Sequence, residues 1–441
     1  MDLIPFRTPG LGDQSYLLIH DGAGVLVDPQ RDIGRFLDVA ADRDVDLRFV
    51  LETHVHNDYV SGGEQAALRT GAELVLPAAS AVAYPHTPAF HMEEITGGGI
   101  TLRPVHTPGH TPEHTSYVVL IEDEPVALFS GGSLLVGSAG RPDLLGSARA
   151  RTLAKLQYGS LRRLARLPRN VGLYPTHGAG SFCTASGVGK HTSTIGEEID
   201  SNPLLTVGEA EEMADRLLAD PMPIPAFYQY MAPANILGVP PMPPVTVPEL
   251  SYADLQAMPP ATHVVDIRPR GAMAGGMLAG STGIELADDF GSWAGWLLEY
   301  QSPIVLVAQP DQNVSEAVTQ LAQIGVDTVR GVIRDLRGAP TTRFELVDVA
   351  TFRRRMSDPA VQVLDVRMPN ERAEVRLDGA VERFVPELIE RGIPPELDRD
   401  RPVLVACASG RRAVIAATLL AREGYRPAVL DGAGIADVAA R

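Results

Sequence analysis

The sequence predicts an α/β chain in three parts: a mixed α/β domain, then two copies of a smaller domain built on a parallel sheet. Three observations carry this. Met231 to Pro248 holds Pro233, Pro240, Pro241, Pro243, Pro244 and Pro248, a density that works against helix and central strand and reads as an extended linker. After it the chain repeats itself. Val264-Val265-Asp266-Ile267-Arg268 is echoed by Val363-Leu364-Asp365-Val366-Arg367, and Val305-Leu306-Val307-Ala308 by Val403-Leu404-Val405-Ala406, at an offset of 98 or 99 residues. Before it, histidines recur just beyond short apolar runs.

The expected boundaries are 1–231 for the first domain, 232–249 for the linker, and 250–340 and 345–441 for the two copies. In the first domain Ser15–His20 and Val25–Asp28 flank the turn signal Asp21-Gly22-Ala23-Gly24 and read as a hairpin. Arg48–Leu51, Leu74–Leu76, Thr101–Pro104, Tyr117–Ile121, Val126–Phe129 and Val171–Tyr174 read as further strands. Glu64–Thr70 and Ala150–Leu164 carry helical periodicity. In each copy short β-branched strands alternate with helices, the pattern of a parallel sheet covered by helices.

The totals bound the function. The net charge of −17 argues against nucleic acid as a partner, because phosphate binding needs clustered Lys and Arg. No apolar run reaches the length of a membrane span, and Met1–Phe6 lacks the start of a secretory signal. Two cysteines, Cys183 and Cys407, exclude a disulfide framework and point to a reducing cytoplasm.

Cys407-Ala408-Ser409-Gly410-Arg411-Arg412 lies between an apolar strand and the helix pattern Ala413–Glu423. A turn of small residues there can aim backbone N–H groups inward as an anion nest at the positive end of a helix. That field, with Arg411 and Arg412, favours the thiolate of Cys407 over the thiol. The loop resembles the rhodanese family, whose active loop is often Cys-x-x-Gly-x-Arg, with Asp365, Arg367 and Gly379-Ala380 as further landmarks. The related dual-specificity phosphatases use Cys-x5-Arg, a position held here by Ala413, so the shorter loop closed by Arg412 favours sulfur over phosphate. The resemblance implies that Cys407 carries sulfane sulfur. The middle copy has Gln309 in place of the cysteine, and no arginine after it, which leaves it a structural or docking role.

In the first domain Glu52-Thr53-His54-Val55-His56-Asn57-Asp58-Tyr59, His106-Thr107-Pro108-Gly109-His110 and Pro175-Thr176-His177-Gly178 each follow a strand. Histidines beyond strand ends can converge on one rim of a sheet and hold a metal, with imidazole suiting zinc or iron. The pattern resembles the metallo-β-lactamase fold, whose signature is Thr-His-x-His-x-Asp-His. The three-part layout is similar to bacterial persulfide dioxygenase–sulfurtransferase fusions. The resemblance implies a metallo-β-lactamase-like αββα sandwich followed by two rhodanese-like α/β domains, with iron on His54 and His110 oxidising a persulfide to sulfite. Two departures alter the site. Tyr59 replaces the last histidine of the signature, and Gly132 replaces the family's metal-binding aspartate. Asp58 is the expected substitute, with His56 or His177 completing the set. Tyr59 reads as rim packing, and Cys183 as a buried small residue.

The function expected is sulfane-sulfur transfer by Cys407, from thiosulfate or a low-molecular-weight persulfide to a thiol acceptor. It is joined to a metal-dependent domain acting on a connected sulfur compound. Two rivals stand for that domain: a zinc thioester hydrolase of the glyoxalase II kind, or a scaffold without metal. No nucleic-acid or membrane partner is expected, and a homo-oligomer is allowed for.

Overall fold

The computed structural model describes residues 1–178, 180–184, 190–219 and 221–439. The chain forms two compact units, Met1–Pro243 and Pro244–Arg441, with the short segment Ala322–Gly325 grouping with the first. Among the described residues no helix is long and apolar enough to cross a membrane.

The first unit stacks two six-stranded sheets. In one, Asp2–Thr8, Asp13–His20, Ala23–Val27, Asp46–Leu51, Glu73–Pro77 and Thr87–Ala89 lie side by side in chain order. The other runs Ser193–Thr194, Gly172–Pro175, Glu124–Gly131, Thr115–Ile121, Ile100–His106, Ile95–Gly97. Because successive strand residues face opposite ways, each strand feeds two cores. Tyr16, Leu18, Val25, Val27, Phe49 and Leu51 meet Leu102, Tyr117, Val119 and Phe129 between the sheets. Their neighbours Leu17, Leu26 and Val50 face outward onto Phe36, Ala40, Ala66 and Ala67 of the helices Gly34–Asp42 and Gly63–Thr70. On the far side Val118, Leu120, Leu128 and Leu173 pack on Ala154, Leu161 and Leu164 of the helix Ser147–Leu164 and Met213 of Ala210–Leu218. The result is the αββα sandwich expected from the sequence. Each of the Val, Leu, Phe and Met side chains among them, buried, contributes about 1.5–3 kcal/mol.

Strand direction places the functional loops. Ala23–Val27 and Asp46–Leu51 are parallel. In the second sheet Thr115–Ile121 is antiparallel to both its neighbours, and Glu124–Gly131 is parallel to Gly172–Pro175. Ile100–His106, Glu124–Gly131 and Gly172–Pro175 therefore end at the same edge. The segments carrying His110, Gly132 and His177 leave the second sheet there.

One sequence expectation is corrected. The stretch read as extended from Met231 is helical to Leu237, in a helix Tyr228–Leu237 with Pro233 inside it. Pro233 and the residue four before it, Gln229, are both exposed, so water can take the carbonyl that the proline leaves unbonded. The helix is held by its buried side, where Asn235 donates to the carbonyls of His56 (2.9 Å) and Tyr59 (2.8 Å) and accepts from the N–H of Ser61 (2.8 Å). Asn235→Ala strands three backbone groups at once. We expect it to destabilise the first unit by about 2–4 kcal/mol, read as a lowered calorimetric transition; a change below about 1 kcal/mol would contradict this account.

In the second unit the two copies show the same strand order. The last has Glu345–Val347, Arg426–Leu430, Pro402–Ala406, Gln362–Asp365 and Val381–Glu382, all parallel. The middle has Val329–Ile333, Ile304–Val307, His263–Asp266 and Thr282–Gly283, also parallel. Both keep a brace that closes the turn after a central strand: Arg367 pairs with Asp365 at 2.8 Å, and Arg268 with Asp266 at 2.6 Å. The copies are packed together. Phe384 meets Trp293 and Trp296 edge-on, at ring separations of 6.3 and 5.6 Å, and the N–H of Gly283 donates to the Thr418 hydroxyl at 3.0 Å.

Candidate metal centre and sulfur site

His54, His110 and His177 are buried and bring ligand atoms within 4.8 Å of one another. Their tautomers are set from behind. His177 Nδ1–H donates to Asp13 at 2.8 Å, and His110 Nδ1–H to the Arg141 carbonyl at 2.9 Å. His54 Nδ1–H donates to the Thr53 hydroxyl at 2.9 Å, whose own proton goes to Asp28 at 2.7 Å. All three Nε2 atoms are therefore left with lone pairs. Those of His54 and His177 lie 3.3 Å apart, and that of His110 is buried without a partner among the described residues. Facing lone pairs repel unless a cation sits between them, and an anchored Nδ1–H is the usual support of a metal-bound histidine. Burial, together with neighbouring imidazoles at His54 and His110, lowers all three pKa values, so the rings are neutral and able to ligate at pH 7.

His56 and Asp58 take other places. His56 directs Nε2 to Glu52 (3.1 Å) and Asp28 (3.3 Å). Burial opposes charge on this ring, but Asp28 and Glu52 outweigh it and push its pKa well above 6.5, leaving an imidazolium. Asp58 lies behind His177, 3.3 Å from Nδ1 and away from the three Nε2 atoms. His56 Nδ1, Asp58 and His177 form a second cluster of metal-ligating type, and Asp28, Glu52 and His56 a third. In the third the groups are already bonded to one another, whereas in the second His56 Nδ1 and Asp58 Oδ1, 4.0 Å apart, are buried with no hydrogen-bond partner among the described residues. Tyr59 is fully buried, and its hydroxyl meets the Asp28 carbonyl at 3.1 Å and His56 Nε2 at 3.0 Å, so it fills the second-metal position with hydrogen bonds. At Gly132 an added Cβ would come within 2.3 Å of His110 Cδ2. The His110 ring thus occupies the room an aspartate side chain would need. His114, unremarked in the sequence, accepts from the Gly132 N–H at 2.9 Å and holds that backbone. Cys183 donates to Asp58 at 3.3 Å, and burial raises its pKa well above 9.0, as suits a packed thiol.

These groups give the metal-free protein a stability maximum near neutral pH. His54, His110, His114 (pKa about 3) and His177 are depressed below 6.5 by burial, so the folded state binds fewer protons than the unfolded one. Stability falls as pH drops through 6.5. Asp13 and Asp58 are raised by burial to about 8 and about 7, so the folded state holds protons that the unfolded one releases near 3.8. That contribution is fully present below about pH 3.8 and is lost steadily from there until the carboxyls ionise in the folded state, at about 8 and about 7. Each group contributes a slope of at most about 1.4 kcal/mol per pH unit. Above pH 7.5 the contribution of these four histidines is complete, while Asp13 still titrates and His56, raised well above 6.5, is losing its own contribution. The melting temperature of the first unit should therefore fall from about pH 7.5 to 9; a continued rise would contradict the assignment.

In the second unit Cys407 ends the strand Pro402–Ala406, buried, and Gly410 caps the helix Arg411–Arg422. Gly410 has φ +87°, and from that left-handed conformation its N–H reaches Cys407 Sγ at 3.1 Å. Arg412 is gripped by Glu371 at 2.5 and 2.7 Å. Burial works to lower the Arg412 pKa, but Glu371 and the adjacent Cys407 sulfur hold it above its ordinary value. Arg411 turns away to Asp289 of the middle copy at 2.8 Å, while Ala408 and Ser409 form the exposed crest of the loop. Glu371 was not singled out in the sequence; it sits on the helix Pro369–Glu374, just after the Asp365–Arg367 brace.

The matching loop of the middle copy is built differently. Arg334 Nη1 gathers the carbonyls of Gln309, Pro310 (3.1 Å) and Gln312 (3.1 Å). Carbonyls converge there, where the last copy turns an N–H inward, so the loop offers no anion nest.

Comparison with known proteins matches residues 9–177 to the metallo-beta-lactamase superfamily and residues 348–436 to the rhodanese-like domain. A hydroxyacylglutathione hydrolase of Methylobacillus flagellatus is 32% identical over 164 residues, 37% of this chain and 60% of the relative. One from Acidiphilium cryptum is 30% identical over 228 residues, 47% of this chain and 92% of the relative. The chain thus spans less than two thirds of the first of these and most of the second. The crystal structure of a metallo-beta-lactamase from Staphylococcus aureus subsp. aureus COL superposes with a TM-score of 0.68 at 28% identity. It covers 76% of this chain and 99% of that one.

Proposed function

Because this chain belongs to the metallo-beta-lactamase superfamily through its first unit and closes with a rhodanese-like domain, we propose that it transfers sulfane sulfur through Cys407. The observation that carries the reading is the Cys407 sulfur held by the Gly410 N–H beside the Arg412–Glu371 pair. The Cys407 thiolate attacks the outer sulfur of thiosulfate, the sulfur–sulfur bond breaks, and sulfite leaves with the electron pair. An acceptor thiolate then attacks the outer sulfur of the Cys407 persulfide, forms the new sulfur–sulfur bond and returns Cys407 as thiolate. Low-molecular-weight persulfides fit the same route as donors. Such a cycle belongs to a reducing compartment, the cytoplasm.

For the first unit we propose one metal ion on His54, His110 and His177, in a setting where Tyr59 closes the second-metal position. Bound there, iron supplies dioxygen activation for oxidation of a persulfide to sulfite, whereas zinc supplies an activated water for thioester hydrolysis. Asp13, Thr53 and the Arg141 carbonyl keep the three rings aimed, and His56 with Asp28 keeps the surrounding charge balanced. We favour iron, since persulfide oxidation would use the sulfur chemistry of the last domain.

The test is mass analysis of the protein after exposure to thiosulfate. One added sulfur atom on the peptide containing Cys407 is expected, removable by a thiol; an unmodified peptide would refute the transfer reading. Metal content after purification under low oxygen separates the rest: iron supports oxidation, zinc the hydrolase, and no metal a scaffold.

A further inference from the structure

We propose that Arg270, in the copy that lacks a nucleophile, is a positioning residue for Cys407 in the last copy, acting through the Ser409–Gly410 peptide. The inference rests on the sulfur-transfer reading and deepens it. A trans peptide holds its carbonyl and its N–H on opposite sides. Here the Ser409 carbonyl accepts from Arg270 Nη1 at 3.2 Å, while the Gly410 N–H points the other way, to Cys407 Sγ at 3.1 Å. Holding the carbonyl outward aims the N–H inward, and the positive charge polarises the peptide in the direction that strengthens the bond to sulfur. Contact is close: a Cβ added at Gly410 would lie 2.2 Å from Arg270 Nη1.

Arg270 is itself fixed. Glu285 takes its Nε at 2.9 Å and Nη2 at 2.7 Å, which leaves Nη1 for Ser409 and, at 3.4 Å, for Asp431. With both faces of the guanidinium engaged and its charge matched by Glu285, Arg270 is not a free cation waiting for an anionic donor. The Phe384–Trp296 and Gly283–Thr418 contacts hold the middle copy where this reach is made. The middle copy, with no sulfur to carry, thereby shapes the loop that carries it.

The test uses the full chain with Arg270→Ala and Arg270→Lys. Two rates are read: alkylation of Cys407 by iodoacetamide, a neutral reagent that needs no anion site, and thiosulfate turnover. Arg270→Ala should lower both the alkylation rate and kcat about tenfold, the loss of one hydrogen bond to a charged sulfur, with KM changed less than about twofold. Arg270→Lys, which still reaches the carbonyl with a cation, should restore most of both. Wild-type alkylation in Arg270→Ala would overturn the proposal, and so would a rise in KM alone, which would make Arg270 a donor-binding residue. If Arg270→Ala does not fold, Glu285→Gln serves: it keeps the guanidinium but loosens its aim, and an unchanged alkylation rate would overturn the proposal equally. A wild type that transfers no sulfur, combined with slowed alkylation in Arg270→Ala, would sink the transfer reading and leave this one standing.

Discussion

Cys407→Ser should reduce thiosulfate-dependent sulfur transfer by at least about a thousandfold, to the level of the uncatalysed reaction. The substitution is near-isosteric at a buried position, and a hydroxyl can still accept from the Gly410 N–H that now reaches Sγ at 3.1 Å. Folding should therefore be almost unaffected, within about 1 kcal/mol. What is lost is the atom: an alcohol at neutral pH neither attacks a sulfane sulfur nor stores one. Steady-state turnover with thiosulfate, beside a melting curve, checks both halves. Substantial turnover in the serine variant would move the chemistry off this loop. Cys183 is no ready substitute, because its thiol is buried, donates to Asp58 and is held protonated.

His110→Ala should weaken metal binding by about a hundredfold or more, so that the purified protein carries little metal. His110 gives the site a lone pair that nothing else in the described residues takes up, and its ring is oriented by the Arg141 carbonyl. Asp13→Asn is the graded comparison: it leaves all three imidazoles but disturbs the partner of His177 Nδ1, and should cost about ten- to a hundredfold in affinity. His56→Ala removes none of the converging Nε2 atoms and should retain more metal than His110→Ala. Elemental analysis and competition with a chelator measure all three. Wild-type metal content in His110→Ala would sink the three-histidine assignment.

The layers were legible because the strands are short, apolar and punctuated. Tyr16-Leu17-Leu18 and Phe49-Val50-Leu51 are apolar throughout, since helices cover one face and the second sheet the other. The first strand, Asp2–Thr8, escaped notice: it lies at the sheet edge, where Pro5 is tolerated but blunts the pattern. The helix 228–237 was obscured by Pro233, because what holds it is Asn235 reaching a loop some 175 residues earlier. At the metal site the residue types and their strand-end positions could be read. Which histidines converge could not, since that depends on Asp13 and the Arg141 carbonyl, each far away in the chain. Of the sulfur loop, Cys407, Gly410 and Arg412 were visible as a motif. Glu371 and Arg270 were not, because they meet the loop only through folding.

Arg334 in the middle copy bears on how far that copy stands from a sulfur carrier. With three loop carbonyls drawn onto its guanidinium, a cysteine placed at 309 would stand in a loop turned toward a cation and not toward sulfur, unlike Cys407 with its Gly410 N–H. A sulfur carrier there would need a rebuilt loop as well as the cysteine. On the proposed reading the middle copy serves its twin through contact, with Arg270 set against Ser409, and not through a sulfur of its own.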